Sequence, residues 1–169
     1  SEGWMFWTCY NSERATGKLE VTASQADRDY IADVDWKAAE KAIAEGKGDM
    51  LGGVKVLDPK KVPGIVYLMP CGKSPHGVDV SPDGKWIIGS GKLQGVTTAF
   101  NFEKVQTAIR NKDFSGEEDG IPVLKYESIK DAEVPVGLGP LHTQFGPDNW
   151  AYTSLFVDSA VAKWKLGTW

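Results

Sequence analysis

A stretch at residues 74–93, SPHGVDVSPDGKWIIGSGKL, has a diverged second copy that begins at residue 142 with HTQFGPDNWAYTSLF. Each copy holds a histidine, a short extended run, a Pro-Asp turn, a tryptophan and then an alternating strand. In each, a further strand follows after a polar gap, at residues 95–102 (GVTTAFNF) and 159–166 (SAVAKWKL). A chain that repeats a strand–turn–strand–strand unit is restricted to folds in which small, similar sheets stack on one another. The 7 Trp and 19 Gly among 169 residues suit such a β-rich chain with many tight turns.

Taken in order, residues 4–11 (WMFWTCYN) read as a buried aromatic strand, and residues 30–36 (YIADVDW) as the next, with a polar excursion at 12–29 between them. This pair matches 86–92 with 96–102, and 150–156 with 161–166, at offsets of about 80 and then about 64 residues, a long period that insertions explain. Helix signals follow two of the pairs. Residues 35–46 (DWKAAEKAIAEG) open on an Asp cap and end at Gly, and residues 101–111 (NFEKVQTAIRN) repeat that pattern more weakly. A strand is expected after each helix, at 64–68 (GIVYL) and 123–128 (VLKYES). The order is strands b, c, helix, d; then a, b, c, helix, d; then a, b, c. Antiparallel four-stranded units in this order are propeller blades.

The expected fold class is therefore all-β and mainly antiparallel, with short helices in the connections. It amounts to about two and a half blades, where closure takes four or more. Residues 1–169 are expected to form one partial propeller domain of a larger protein. A complete small antiparallel domain with two helices is the alternative.

Composition excludes several classes. A formal charge of −4 and a pI near 5.2 give no basic footprint for nucleic acid. No apolar run is long enough to span a membrane. The opening SEGWMFWTCY has no basic segment followed by an apolar one, so it is not read as a signal peptide. Cys9 and Cys71 are read as isolated core thiols rather than a bridge. There is no Gly-rich phosphate loop and no G-x-S-x-G elbow, and the two histidines have no nucleophile placed beside them by motif. Residues 112–119 (KDFSGEED) read as an exposed loop.

The histidines carry the chemistry. In a blade the first strand lines the central channel, and His76 and His142 both stand at the entrance to such a strand. Imidazoles that converge on a hub suit a transition metal. Structural histidines that cap strand ends fit equally well. No cysteine or carboxylate spacing completes a tetrahedral site, so a metal would need ligands from outside the chain. In the excursion at 12–29, Glu13, Glu20, Asp27 and Asp29 follow Tyr10 and Asn11, and such oxygen donors suit Ca²⁺, although the spacing is not that of an EF-hand. A solvated acidic loop is the plainer reading.

Residues 74–93, 137–145 (GLGPLHTQF) and 151–166, with the Tyr-Asn-Ser-Glu element at 10–13 and the Asp29-Tyr30 step, closely resemble nitrous oxide reductase over essentially the whole chain. The resemblance implies a seven-bladed N-terminal propeller whose hub histidines hold CuZ, a sulfide-bridged four-copper cluster. It also implies a C-terminal cupredoxin domain, absent from this chain, that carries the electron-entry centre CuA. The implied enzyme is periplasmic, a head-to-tail homodimer fed by a cytochrome c or cupredoxin, and reduces N₂O to N₂ and water. It makes His76 and His142 two of the CuZ ligands. It makes Tyr10, through its carbonyl, and Glu13 and Asp29, through carboxylates, ligands of a structural Ca²⁺. Asp27 is the fallback for Asp29, and a further carbonyl comes from near 21–23. Ser74 stands where the family pattern carries Asn, and its hydroxyl is a weaker Ca²⁺ donor.

Two imidazoles cannot hold four coppers, so the chain alone is expected to be inactive, and its open blade edges are expected to invite a strand-swapped dimer. The competing functions are a non-catalytic propeller module that binds proteins, and a small Ca²⁺-stabilised binding domain.

Overall fold

The computed structural model describes residues 2–9 and 29–169. Four sheets are formed among them. The first holds β1 (Trp4–Cys9), β2 (Asp29–Asp35) and β5 (Val66–Cys71) as antiparallel neighbours. The connection from β2 to β5 carries helix α1 (Trp36–Ala44) and a small hairpin, β3 (Asp49–Leu51) with β4 (Val54–Val56). The Asp35 carboxylate caps α1 by accepting from the Ala38 amide at 2.8 Å, as the Asp at the start of the motif predicts. Neither β3 nor β4 was expected from sequence. Their Met50, Leu51 and Val54 are exposed, so no alternation marks them.

The second sheet runs β6 (Pro75–Val80), β7 (Trp86–Gly91), β8 (Val96–Asn101) and β11 (Lys130–Pro135) in that spatial order, every pair antiparallel. The third runs β12 (Pro140–Phe145), β13 (Trp150–Leu155) and β14 (Ala160–Lys165). These are the antiparallel a, b, c units expected from the repeat, and the second adds a fourth strand. The small, mostly antiparallel sheets are consistent with partial propeller blades.

The middle sheet is packed on both faces, which explains why β7 is apolar or small throughout and buried at every residue. Ile87 and Phe100 join Ile31, Met69, Cys71 and Leu124 in the core toward the first sheet. One residue along each strand, Ile88 and Ala99 join Trp86, Ala151 and Leu166 in the core toward the third. Alternating side chains thus supply two different cores, the signature of a sheet with a neighbour on either side. Cys71 is buried and Cys9 half-buried, and no disulfide joins them.

Two expectations are corrected. Residues 123–128 do not form the fourth strand of the middle sheet. Ile121–Leu124 is β10, which pairs parallel with β5 of the first sheet at Val123 and Leu68, and residues 126–129 form a helical turn, α3 (Tyr126–Ile129). Residues 112–119 are not a loop, since they contain β9 (Phe114–Glu118), the antiparallel partner of β10. The actual fourth strand, β11, reads KDAEVP. As an outermost strand it needs little apolar surface, so its charges conceal it. Leu124 and Tyr126 belong instead to the core that β10 and α3 share with α2 (Phe102–Asn111).

Candidate metal centre

The strands β6 and β12, at the edges where the second and third sheets meet and called inner for that reason, carry the histidines. Along β6 the pairing with β7 goes from Pro75↔Gly91 to Val78↔Gly89, so one extra residue is accommodated in the His76–Gly77 stretch. Along β12 the pairing with β13 goes from Pro140↔Leu155 to Thr143↔Thr153, with the extra residue in the Leu141–His142 stretch. Both histidines therefore lie in β-bulges, which re-aim side chains that regular pleating would send to one face. Alignment on the bulges sets His142 opposite Gly77, not His76. The one-residue offset is a difference from the sequence expectation of equivalent positions, and it has a steric reason. At Gly77 a Cβ would overlap the Leu141 carbonyl oxygen and come within 2.8 Å of His142 Nδ1. Only a glycine lets the two inner strands approach so closely.

The result is a pair of imidazoles with ring centroids 5.3 Å apart and planes at 86°. His76 is partly buried with its Nδ1 inside, and the His142 side chain is 52% exposed, so the pair opens to one side. The His76 carbonyl accepts from Thr8 Oγ1 of β1 at 3.3 Å, which brings all three sheets to this point.

His142 is held closely. Its Nδ1 lies 3.2 Å from Asp79 Oδ1, and the next backbone amide, Thr143, donates to Asp79 Oδ2 at 2.7 Å. From the other side, the Thr143 hydroxyl meets the Thr153 hydroxyl at 2.8 Å, which in turn accepts from Trp164 Nε1 at 2.9 Å. Sequence reading missed Asp79. Its position in PHGVDV, an acidic residue at an inward site of an inner strand, was the available signal.

Of the residues read as Ca²⁺ ligands, Asp29 and Ser74 come together. The Ser74 amide donates to Asp29 Oδ2 at 2.6 Å, and both residues are buried. Ser74 holds a left-handed backbone, φ +54°, a conformation that Asn adopts more readily than Ser. Tyr10, Glu13, Asp27 and residues 21–23 lie outside the described residues. Among the described residues, no three His, Cys, Asp or Glu side chains cluster as a self-sufficient metal site. No helix among them is long and apolar enough to cross a membrane.

The chain is 35% identical over 165 residues to the nitrous-oxide reductase of Stutzerimonas stutzeri and 33% identical to that of Pseudomonas fluorescens, matching 94% of this chain in each case. It is 35% identical over 170 residues to the nitrous-oxide reductase of Cupriavidus necator. The chain is a relative of nitrous-oxide reductase. It spans 24% of the length of each of these reductases. No family model matches the chain. Among solved structures, hydrazine synthase of Kuenenia stuttgartiensis shares the fold, with a TM-score of 0.55 over 85% of this chain and 36% of its own, at 18% identity.

Proposed function

We propose that this chain is the part of a copper-dependent nitrous-oxide reductase that supplies two imidazole ligands, His76 and His142, to the CuZ cluster. The observation that carries the reading is the convergence of these two rings, from two different sheets, to a centroid separation of 5.3 Å. Imidazole nitrogen is a good donor for copper, and a half-exposed pair at the meeting of inner strands leaves room for further ligands. Two imidazoles fit as part of the coordination of such a cluster and not as the whole, so the other ligands come from outside the described residues. When bound, the cluster supplies the site where N₂O, two electrons and two protons become N₂ and water. This chain's own residues hold and orient two of its nitrogens.

On this reading residues 1–169 belong to one propeller domain, and a cupredoxin domain carries CuA and takes electrons from a cytochrome c or cupredoxin. The enzyme works in the periplasm as a head-to-tail homodimer. A structural Ca²⁺ with Tyr10, Glu13, Asp29 and Ser74 as ligands belongs to the same proposal. Support for it is the buried Asp29 carboxylate beside Ser74, one residue before the strand that carries His76. An ion there would tie the segment before β2 to the strand behind a copper ligand.

Copper titration of the purified chain tests the ligands. Binding should weaken in His76→Ala and again in His142→Ala, and binding that is indifferent to both substitutions overturns the assignment. The copper-loaded chain should not turn over N₂O; measurable turnover would show that two imidazoles suffice. A chelator of Ca²⁺ should lower Tm in the wild type and do nothing in Asp29→Ala.

A further inference from the structure

We propose that Asp79 is the positioning residue of His142, with its carboxylate reaching across from β6 to fix the imidazole on β12 so that Nε2 is the atom presented to a metal. The inference rests on the reading of His142 as a copper ligand and adds to it a residue that gives that ligand its aim. Each carboxylate oxygen has its own partner: Oδ1 meets His142 Nδ1 at 3.2 Å, and Oδ2 accepts from the Thr143 amide at 2.7 Å. A carboxylate only accepts, so the Nδ1 that faces it carries the proton, and the lone pair is left on Nε2. Because the Thr143 amide holds the second oxygen, the carboxylate keeps its place on β12, and the ring loses its bond to Oδ1 if it turns. The Asp79 side chain is 16% exposed, so most of the carboxylate is shielded from water, while the ring it holds stays open on its other side.

The same strand carries His76, three residues before Asp79. β6 thus contributes one proposed ligand directly and sets the orientation of the other, which links the geometry of the two. The Thr143–Thr153–Trp164 chain holds β12 from its far side and leaves Asp79 a fixed target. Carboxylates that accept from a ligand imidazole raise its basicity, and their loss costs about 10–100-fold in metal affinity.

The test uses the purified chain, ¹⁵N-labelled at histidine, with Cu²⁺ as the probe. Without metal, His142 should show the Nδ1–H tautomer. Asp79→Asn faces two donors with only one acceptor oxygen, so it should lose that tautomer preference and about 10–100-fold in copper affinity. Asp79→Glu, which keeps both acceptors, should recover part of each. In a His142→Ala background, Asp79→Asn should have no further effect on copper; an equal loss there would mean that Asp79 acts through the fold alone and would overturn the proposal. An Nε2–H tautomer in the wild type would overturn it too, whatever the variants do. If the wild type shows no His142-dependent copper binding, the copper reading fails on its own. The tautomer of His142 in wild type and Asp79→Asn then decides the positioning role, loss in the variant supporting it and no change overturning it.

Discussion

At the scale of single residues, Gly77 decides more than either histidine. The close passage of β6 and β12 leaves no space for even one methyl group, because the Leu141 carbonyl and the His142 ring occupy it. Gly77→Ala must therefore push the inner strands apart. The expected cost is about 1–3 kcal/mol, the range for overpacking a filled site, with loss of the His142–Asp79 contact. Thermal unfolding and the His142 tautomer signal check it together. A variant with wild-type Tm and tautomer would show that the strands have slack. The motif PHGV thus carries both a candidate ligand and the vacancy that lets its partner in. From sequence only the first could be read, since a glycine in a strand announces a close approach without naming what approaches.

At the scale of elements, β2 holds an unusual residue. Asp33 is fully buried, its register partners are Phe6 on β1 and Tyr67 on β5, and among the described residues neither carboxylate oxygen has a hydrogen-bond partner. Desolvation, with the repulsion of Asp35 added, raises its pKa to about 8. The same two carboxylates, after burial itself, push the Tyr67 phenol up. The folded state therefore holds a proton on Asp33 that the unfolded chain releases near its ordinary value of 3.8. Between those limits the folded state binds more protons, so this residue makes stability fall as pH rises, by at most about 1.4 kcal/mol per pH unit. Below pH 4 the contribution is flat. Asp33→Asn should remove the slope and be more stable than the wild type at pH 8. Denaturant unfolding across pH 5–8 measures it, and parallel slopes for the two proteins would refute the assignment. Sequence periodicity placed β2 correctly and could not expose this residue, because an Asp in alternation reads as solvent-facing.

At the scale of the whole molecule, the middle sheet contributes to a core on each of its faces, one shared with each flanking sheet. Among the described residues, β14 pairs only with β13 and β1 only with β2. Val161 on β14 is 65% exposed and Trp7 on β1 is 48% exposed. Apolar side chains on open strands favour pairing with another copy. The isolated chain should show concentration-dependent association by light scattering, reversed on dilution. Monomer throughout the range would mean that these edges are protected. The β9–β10 hairpin works in the opposite sense. It leaves the connection that follows the second sheet's third strand and adds itself to the first sheet, so the two sheets are bound by strand pairing as well as by side-chain packing.

Local sequence determined the elements whose signals are local. The strands of the repeat, the Asp35 and Asn101 helix caps and the Pro-Asp turns follow from alternation, capping chemistry and turn residues, each a property of a few neighbouring positions. It also marked His76 and His142 as a pair, through repetition. Tertiary structure alone decided which sheet β10 would join, that the charged KDAEVP segment would be a strand, and that Asp79 would meet His142. Each of those outcomes depends on a partner distant in sequence. A hydrogen-bonded edge accepts whichever strand reaches it, and a carboxylate binds whichever donor the packing brings near. Those partners are selected when the inner strands close on one another, which no short window of the chain contains.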